Sequence, residues 1–168
     1  MIAKVAAFAG TALLATLLAA PAASGRETVH FDGYSAGTVV VVTHERHLYY
    51  VVGNGQAIRY PVGVGRLGKQ WAGSTRIDGK YRNPAWAPPA EIRRDKPSLP
   101  RVIPGGSQRN PMGVAALTLA GGQYAIHGTN TPRSIGGYVS YGCIRMYNED
   151  ISDLYPRVRV GTPVVVTR

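Results

Sequence analysis

Cysteine is almost missing from this chain: its 168 residues include one, Cys143. A single thiol cannot close an intramolecular disulfide, so a disulfide framework is excluded and the fold must rest on its core. Cys143 is then a buried bystander or a reactive thiol, and composition leaves both open. Acidic residues are also scarce. Nine Asp and Glu stand against nineteen Lys and Arg, for a formal charge of +10. Such a balance suits nucleic acid, an anionic surface or an acidic polymer. The basic residues are scattered, with Arg93, Arg94 and Lys96 the densest group, and form no stripe on one helix. Together with the export that the N-terminus suggests, this points away from nucleic acid and towards an envelope polyanion.

Long apolar runs are absent after residue 25. The one such run opens the chain, "MIAKVAAFAGTALLATLLAAPAASG", with a lysine, a small and apolar stretch, then Ala20-Pro21-Ala22. That order reads as a secretory signal over residues 1–22, cut near Ala22 or Ser24. The run is short for a spanning helix, so no transmembrane anchor is expected. No cysteine follows it, which excludes a lipoprotein anchor. Residues 23–36 read as a linker, and the rest suffices for one domain with a real core.

From Thr38 the signals are β. "TVVVVT" is rich in β-branched residues; "HLYYVV" and "QAIRYPVGV" flank Gly53-Asn54-Gly55, a hairpin turn signal. "GVAALTLA" and "QYAIHG" flank Gly121-Gly122, a second hairpin, and "TPVVVT" closes the chain. Only Asn148 to Val158 looks helical, with Asn148 as N-cap, acids in the first turn, and Ile151, Leu154 and Tyr155 on one face. A mostly β chain with one late helix suggests a sandwich or barrel. Residues 82–112 hold seven of the twelve prolines and no period. A loop of this length in a compact domain is usually functional or disordered, and Trp86 would anchor this one as a flap over a site.

The chemistry gathers in "IHGTNTPRSIGGYVSYGCIRM", Ile126 to Met146. Gly142 permits a tight turn, and the amides of Gly142 and Cys143 could face a carbonyl oxygen as an oxyanion hole. A thiol needs a base or cation beside it to become nucleophilic at neutral pH. His127 closes the "QYAIHG" strand, and a hairpin-like return would bring it to Cys143; spacing alone is weak evidence for the pair. Arg145 fits a substrate carboxylate or a structural role. Ser140 suits a hydrogen bond within the site loop. Tyr60, Trp71 and Trp86 could wall a site, although core packing suits at least two of them. His44 and His47 face opposite sides if they share a strand, so no metal site is expected.

The stretch from Ile126 onward, with "HERHLYYVVGNGQAIRYPVGVG", "STRIDGKY" and "NPAWAPP" upstream, closely resembles the L,D-transpeptidase catalytic domain, or YkuD, family. The likeness covers about residues 37–168. It implies an L,D-transpeptidase-like β-sandwich with a long Pro-rich flap and one late helix. It also implies a nucleophile at Cys143, a base at His127, and an orienting backbone carbonyl at Gly128. The implied reaction breaks a peptidoglycan stem between an L-centre and a terminal D-residue, forms a thioester, and passes it to an amine. The acceptor would be another stem or an outer-membrane protein or lipoprotein, in the periplasm or cell envelope, without metal or organic cofactor. One position departs from the family block: Tyr141 stands where a histidine is usual, filling space and offering one hydroxyl. Two other readings remain, a hydrolase using the same site and a peptidoglycan-binding protein without catalysis.

Overall fold

A computed structural model describes residues 25–122 and 124–168. The signal expected over residues 1–22 lies outside them. The strands are β1 (Glu27–His30), β2 (Val39–Val42), β3 (His47–Gly53), β4 (Gln56–Pro61), β5 (Val64–Gly65) and β6 (Gly73–Arg82), then β7 (Ala115–Leu119), β8 (Ala125–His127), β9 (Tyr138–Ser140), β10 (Ile144–Arg145) and β11 (Pro163–Thr167). Helix α1 (Ala90–Asp95) lies in the Pro-rich segment and α2 (Asn148–Arg157) precedes the last strand.

Nine strands run in the order β1-β4-β3-β2-β11-β6-β7-β8-β10, and β5 pairs with β9 separately. Strand β6 is the hinge of the fold. Its first half pairs with β11 and its second half with β7, across an irregularity between Ile77 and Gly79. A bulge bends a strand and raises its twist, so β6 can serve two faces. Between those faces lies one apolar core that includes Val39, Val41, Leu48, Ile77, Leu117 and Ile126, closed by Ile151 and Leu154 of α2. The runs of valine in β2 and β11 are buried on alternate positions or throughout, as a central strand requires. The architecture is thus mostly β with one late helix, as the pattern suggests.

Both hairpins form where the turn residues stand. Asn54 and Gly55 have φ of 54° and 69°, the left-handed pair that a two-residue turn needs. Three expectations change. Residues 27–30, expected within a linker, form an edge strand on β4; backbone pairing, which leaves little trace in a polar sequence, places them. The Pro-rich segment holds a short helix as well as a loop. Asn148 is the first residue of α2 rather than its cap; Tyr147 is the N-cap, with no side-chain bond. The Asn148 side chain is engaged elsewhere. At the other end, Lys80 Nζ donates to the carbonyls of Tyr155 (2.8 Å) and Val158 (2.5 Å), which satisfies the last turn.

Candidate active site

Strand β10 returns to β8 in parallel, with Ile144 opposite Ile126 and Arg145 opposite His127. The return expected as a hairpin is therefore a crossover, through β9 on β5. Cys143 stands immediately before β10, two residues from Arg145, whose backbone pairs with that of His127. All three line one cleft of about 410 Å³, with Ser140 and Tyr141.

His127 is buried, and its Nδ1 lies 2.6 Å from the Gly128 carbonyl oxygen. A carbonyl can only accept, so this contact puts the proton on Nδ1 and leaves Nε2 free to take one. Burial pushes the imidazole pKa down to about 4; the Gly128 carbonyl opposes this and the Arg145 guanidinium adds to it. The ring is neutral at neutral pH. Burial likewise pushes the Cys143 thiol up, opposed by a backbone hydrogen bond from Ala125 and by Arg145. The resting pair is a thiol beside an imidazole rather than a thiolate beside an imidazolium. A neutral imidazole has the lone pair that a proton acceptor needs.

The Gly128 carbonyl is itself held. Asn148 Oδ1 accepts from Thr129 N–H (3.0 Å) and Val114 N–H (3.4 Å), joining the His-Gly turn to the strand beside it. Nothing in the spacing marks Asn148 for this task; an apparent helix cap masks it.

The turn carrying Cys143 is built on Gly142, whose φ is +123°. A Cβ there would lie 2.2 Å from the Tyr124 ring, so both conformation and space demand glycine. Trp71 stacks on Tyr124 at 5.0 Å between centroids and donates its Nε1–H to the Gly142 carbonyl (2.9 Å). Ser140 completes the turn: its hydroxyl donates to the Cys143 carbonyl (2.6 Å) and accepts from Gly142 N–H (3.0 Å). The Gly142 amide thus points inward, against the expected oxyanion role, because the Ser140 hydroxyl takes it. The Cys143 N–H remains as the other donor.

Arg145 is partly buried, its guanidinium pKa held down by that burial, and its Nε has no partner among the described residues. A buried cation without a counter-ion is costly unless an anion joins it. Of the three aromatics considered, Tyr60 is fully buried and donates to Asp153 (2.6 Å), and Trp71 packs on the core. Trp86 does line the cleft.

The Pro-rich segment supplies the wall opposite Cys143, through Trp86, Pro89, Glu91, Ile92, Pro111 and Met112. Trp86 and Ile103 exchange backbone hydrogen bonds of 2.9 and 2.8 Å. Asn110 Nδ2 donates to the Pro84 and Pro104 carbonyls (2.8 and 3.0 Å), so a stretch poor in regular structure is held by a side chain.

The cleft of this mostly β fold thus brings together Cys143, a carbonyl-tethered His127 and Arg145. The chain belongs to the L,D-transpeptidase catalytic domain family, whose YkuD model matches residues 36–166. It is 42% identical over 146 residues to the "Probable L,D-transpeptidase YbiS" of Escherichia coli K12, covering 82% of this chain and 45% of that protein. It is 39% identical over 143 residues to the "Probable L,D-transpeptidase ErfK/SrfK" of Salmonella typhimurium, covering 80% and 45%. The chain thus spans less than half the length of these curated relatives. An L,D-transpeptidase structure from Mycobacterium smegmatis shares the fold, with a TM-score of 0.62 at 19% identity over 78% of this chain and 58% of that one. A Brucella melitensis structure named a probable carnitine operon oxidoreductase is 39% identical, covers 84% and 92%, and has a TM-score of 0.56.

Proposed function

We propose that this protein is an exported, cysteine-dependent L,D-transpeptidase of the bacterial envelope. Residues 1–22 would direct export and residues 37–168 form the catalytic domain. The observation that carries the reading is the single cleft shared by Cys143, Arg145 and a buried His127 whose Nδ1 is tied to Gly128. Cys143 Sγ attacks the carbonyl of the L-centre in a stem peptide as His127 Nε2 takes the thiol proton. The Cys143 N–H lies beside the developing oxyanion. Collapse breaks the bond to the terminal D-residue, whose amine leaves with the proton from His127. A thioester remains. An acceptor amine then attacks it, His127 takes the amine proton, and the released thiolate recovers it. Arg145 holds a stem carboxylate in this scheme, which relieves its uncompensated burial. The acceptor is another stem or an envelope protein.

The relatives named as L,D-transpeptidases and the matching family model support this reading. The Brucella protein's name belongs to another class; a thiol paired with an imidazole favours acyl transfer here. Purified mature protein incubated with tetrapeptide muropeptides, and the products weighed, tests the proposal. Crosslinked dimers are expected. Tripeptides alone would make it a hydrolase, and unchanged substrate would make it a binding protein.

A further inference from the structure

Tyr141 stands where the family block usually carries a histidine, and its hydroxyl does not turn to the thiol. It donates to Asp95 Oδ2 at 2.5 Å. Asp95 is the last residue of α1, the helix whose Glu91 and Ile92 line the cleft. Arg66 completes the contact: its Nη2 donates to the same Asp95 oxygen (3.1 Å), and its guanidinium lies 4.0 Å from the Tyr141 ring centroid. A phenol, a carboxylate and a guanidinium thus meet at one point, joining the nucleophile loop, the Pro-rich wall and the segment after β5. One turn earlier on α1, Glu91 pairs with Lys69 of that same segment.

Little else holds the helix. Helix α1 has six residues, none of them buried, and no side-chain cap at its start. A helix this short has no stability of its own, so its position depends on such outside contacts. Its contacts with the segment after β5 and with the nucleophile loop are polar and exposed, the kind that open at small cost.

We propose that Tyr141, Asp95 and Arg66 form a latch that holds α1 across the cleft, making Tyr141 a positioning residue that governs access to Cys143. The inference rests on the transpeptidase reading for its purpose. Its physical content, that the Tyr141 hydroxyl keeps the wall closed, stands apart from turnover. A histidine is shorter and offers ring nitrogens rather than a terminal hydroxyl, so the contact with Asp95 belongs to this chain's tyrosine.

Two measurements on the mature protein test it without using a substrate. Hydrogen exchange reads the wall through peptides covering residues 86–103, and reads the floor through peptides covering β8 and β10. Alkylation by N-ethylmaleimide, followed by intact mass, reads access to the only thiol in the chain. Tyr141→Phe and Asp95→Asn are each expected to speed exchange in 86–103 and alkylation of Cys143 about three- to tenfold, the scale of one charge-assisted hydrogen bond. Floor exchange stays unchanged, and the double variant goes no further than Asp95→Asn, because the Tyr141–Asp95 contact is common to both variants. Unchanged exchange in 86–103 would overturn the latch. So would additive effects in the double variant, or floor and wall loosening together. If the latch variants behave as expected while wild type leaves muropeptides intact, the latch stands and the transpeptidase reading fails. The reverse pattern would remove the latch alone.

Discussion

The floor and the wall of the cleft are built on different physics. The floor is backbone-bonded. Met146 N–H donates to the His127 carbonyl (2.8 Å), Arg145 N–H to Gly63 (2.8 Å), and Gly128 N–H to Ala115 (3.0 Å). Ile126 and Ile144 bury their side chains in the core beneath it. The wall around α1 has no buried helical residue, and its acids Asp95 and Glu91 meet exposed cations. Packed backbone hydrogen bonds open only with large parts of the fold, whereas exposed side-chain pairs open locally. In the proposed reaction, chemistry that tolerates little displacement falls to the floor, and the proposed latch leaves access to the wall.

The sharpest way to break this contrast is to remove the chemistry from the floor. Cys143→Ala should abolish turnover and all covalent labelling by a carbapenem, read by intact mass. His127→Ala should keep the thiol and lose on the order of 10²–10⁴ in acylation rate, the usual contribution of a positioned base. Labelling of the alanine variant at Cys143 would place the nucleophile elsewhere.

Gly142→Ala comes next. The added methyl meets the Tyr124 ring and forces a left-handed φ on a residue with a Cβ. A loss of about 2–4 kcal/mol in denaturant stability is expected, with turnover lost too. A fully stable variant would show that the floor can yield.

The pH profile tests how dry the floor is. As the proposed base, His127 works only when neutral, and burial holds its pKa at about 4. Falling pH should remove acylation only as it passes through about 4, leaving full rate at pH 6, where a solvated imidazole near 6.5 would already be mostly charged. An acid limb near 6.5 in kcat/KM would mean that water reaches the ring in the working enzyme.

Asn148→Ala probes the support under the base. It leaves Thr129 N–H without its acceptor and loosens the Gly128 carbonyl, for about 1–3 kcal/mol of stability and roughly tenfold in acylation rate. Asn148→Asp, which keeps the accepting oxygen, should recover most of the rate. A loss of stability alone, with the rate intact, would make Asn148 structural only.

The smallest effect belongs to the wall. Glu91→Gln removes an exposed ion pair with Lys69, and unfolding stability should change by no more than about 0.5 kcal/mol. A loss as large as that of Gly142→Ala would place the wall in the same cooperative unit as the floor.

Much of this was open to reading along the chain. Turn residues such as Asn54-Gly55 act within a few positions, so both hairpins could be located. The β-branched runs of β2 and β11 mark strands because such side chains fit a pleated, packed surface. Cys143 and His127 stand in a motif specific enough to nominate them. The edge strand at Glu27–His30 was hidden because its pairing depends on β4, not on any apolar pattern of its own.

The sequence by itself determined the mostly β class, the late helix, the lone thiol and its histidine, since local propensity and residue chemistry carry these. Tertiary structure decided the parallel return of β10, the inward turn of the Gly142 amide, the support of Gly128 by Asn148, and the contact of Tyr141 with Asp95. Each of the last three joins residues at distances set by how strands and loops pack. A hydrogen bond depends on ångströms and angles, and sequence spacing alone encodes neither.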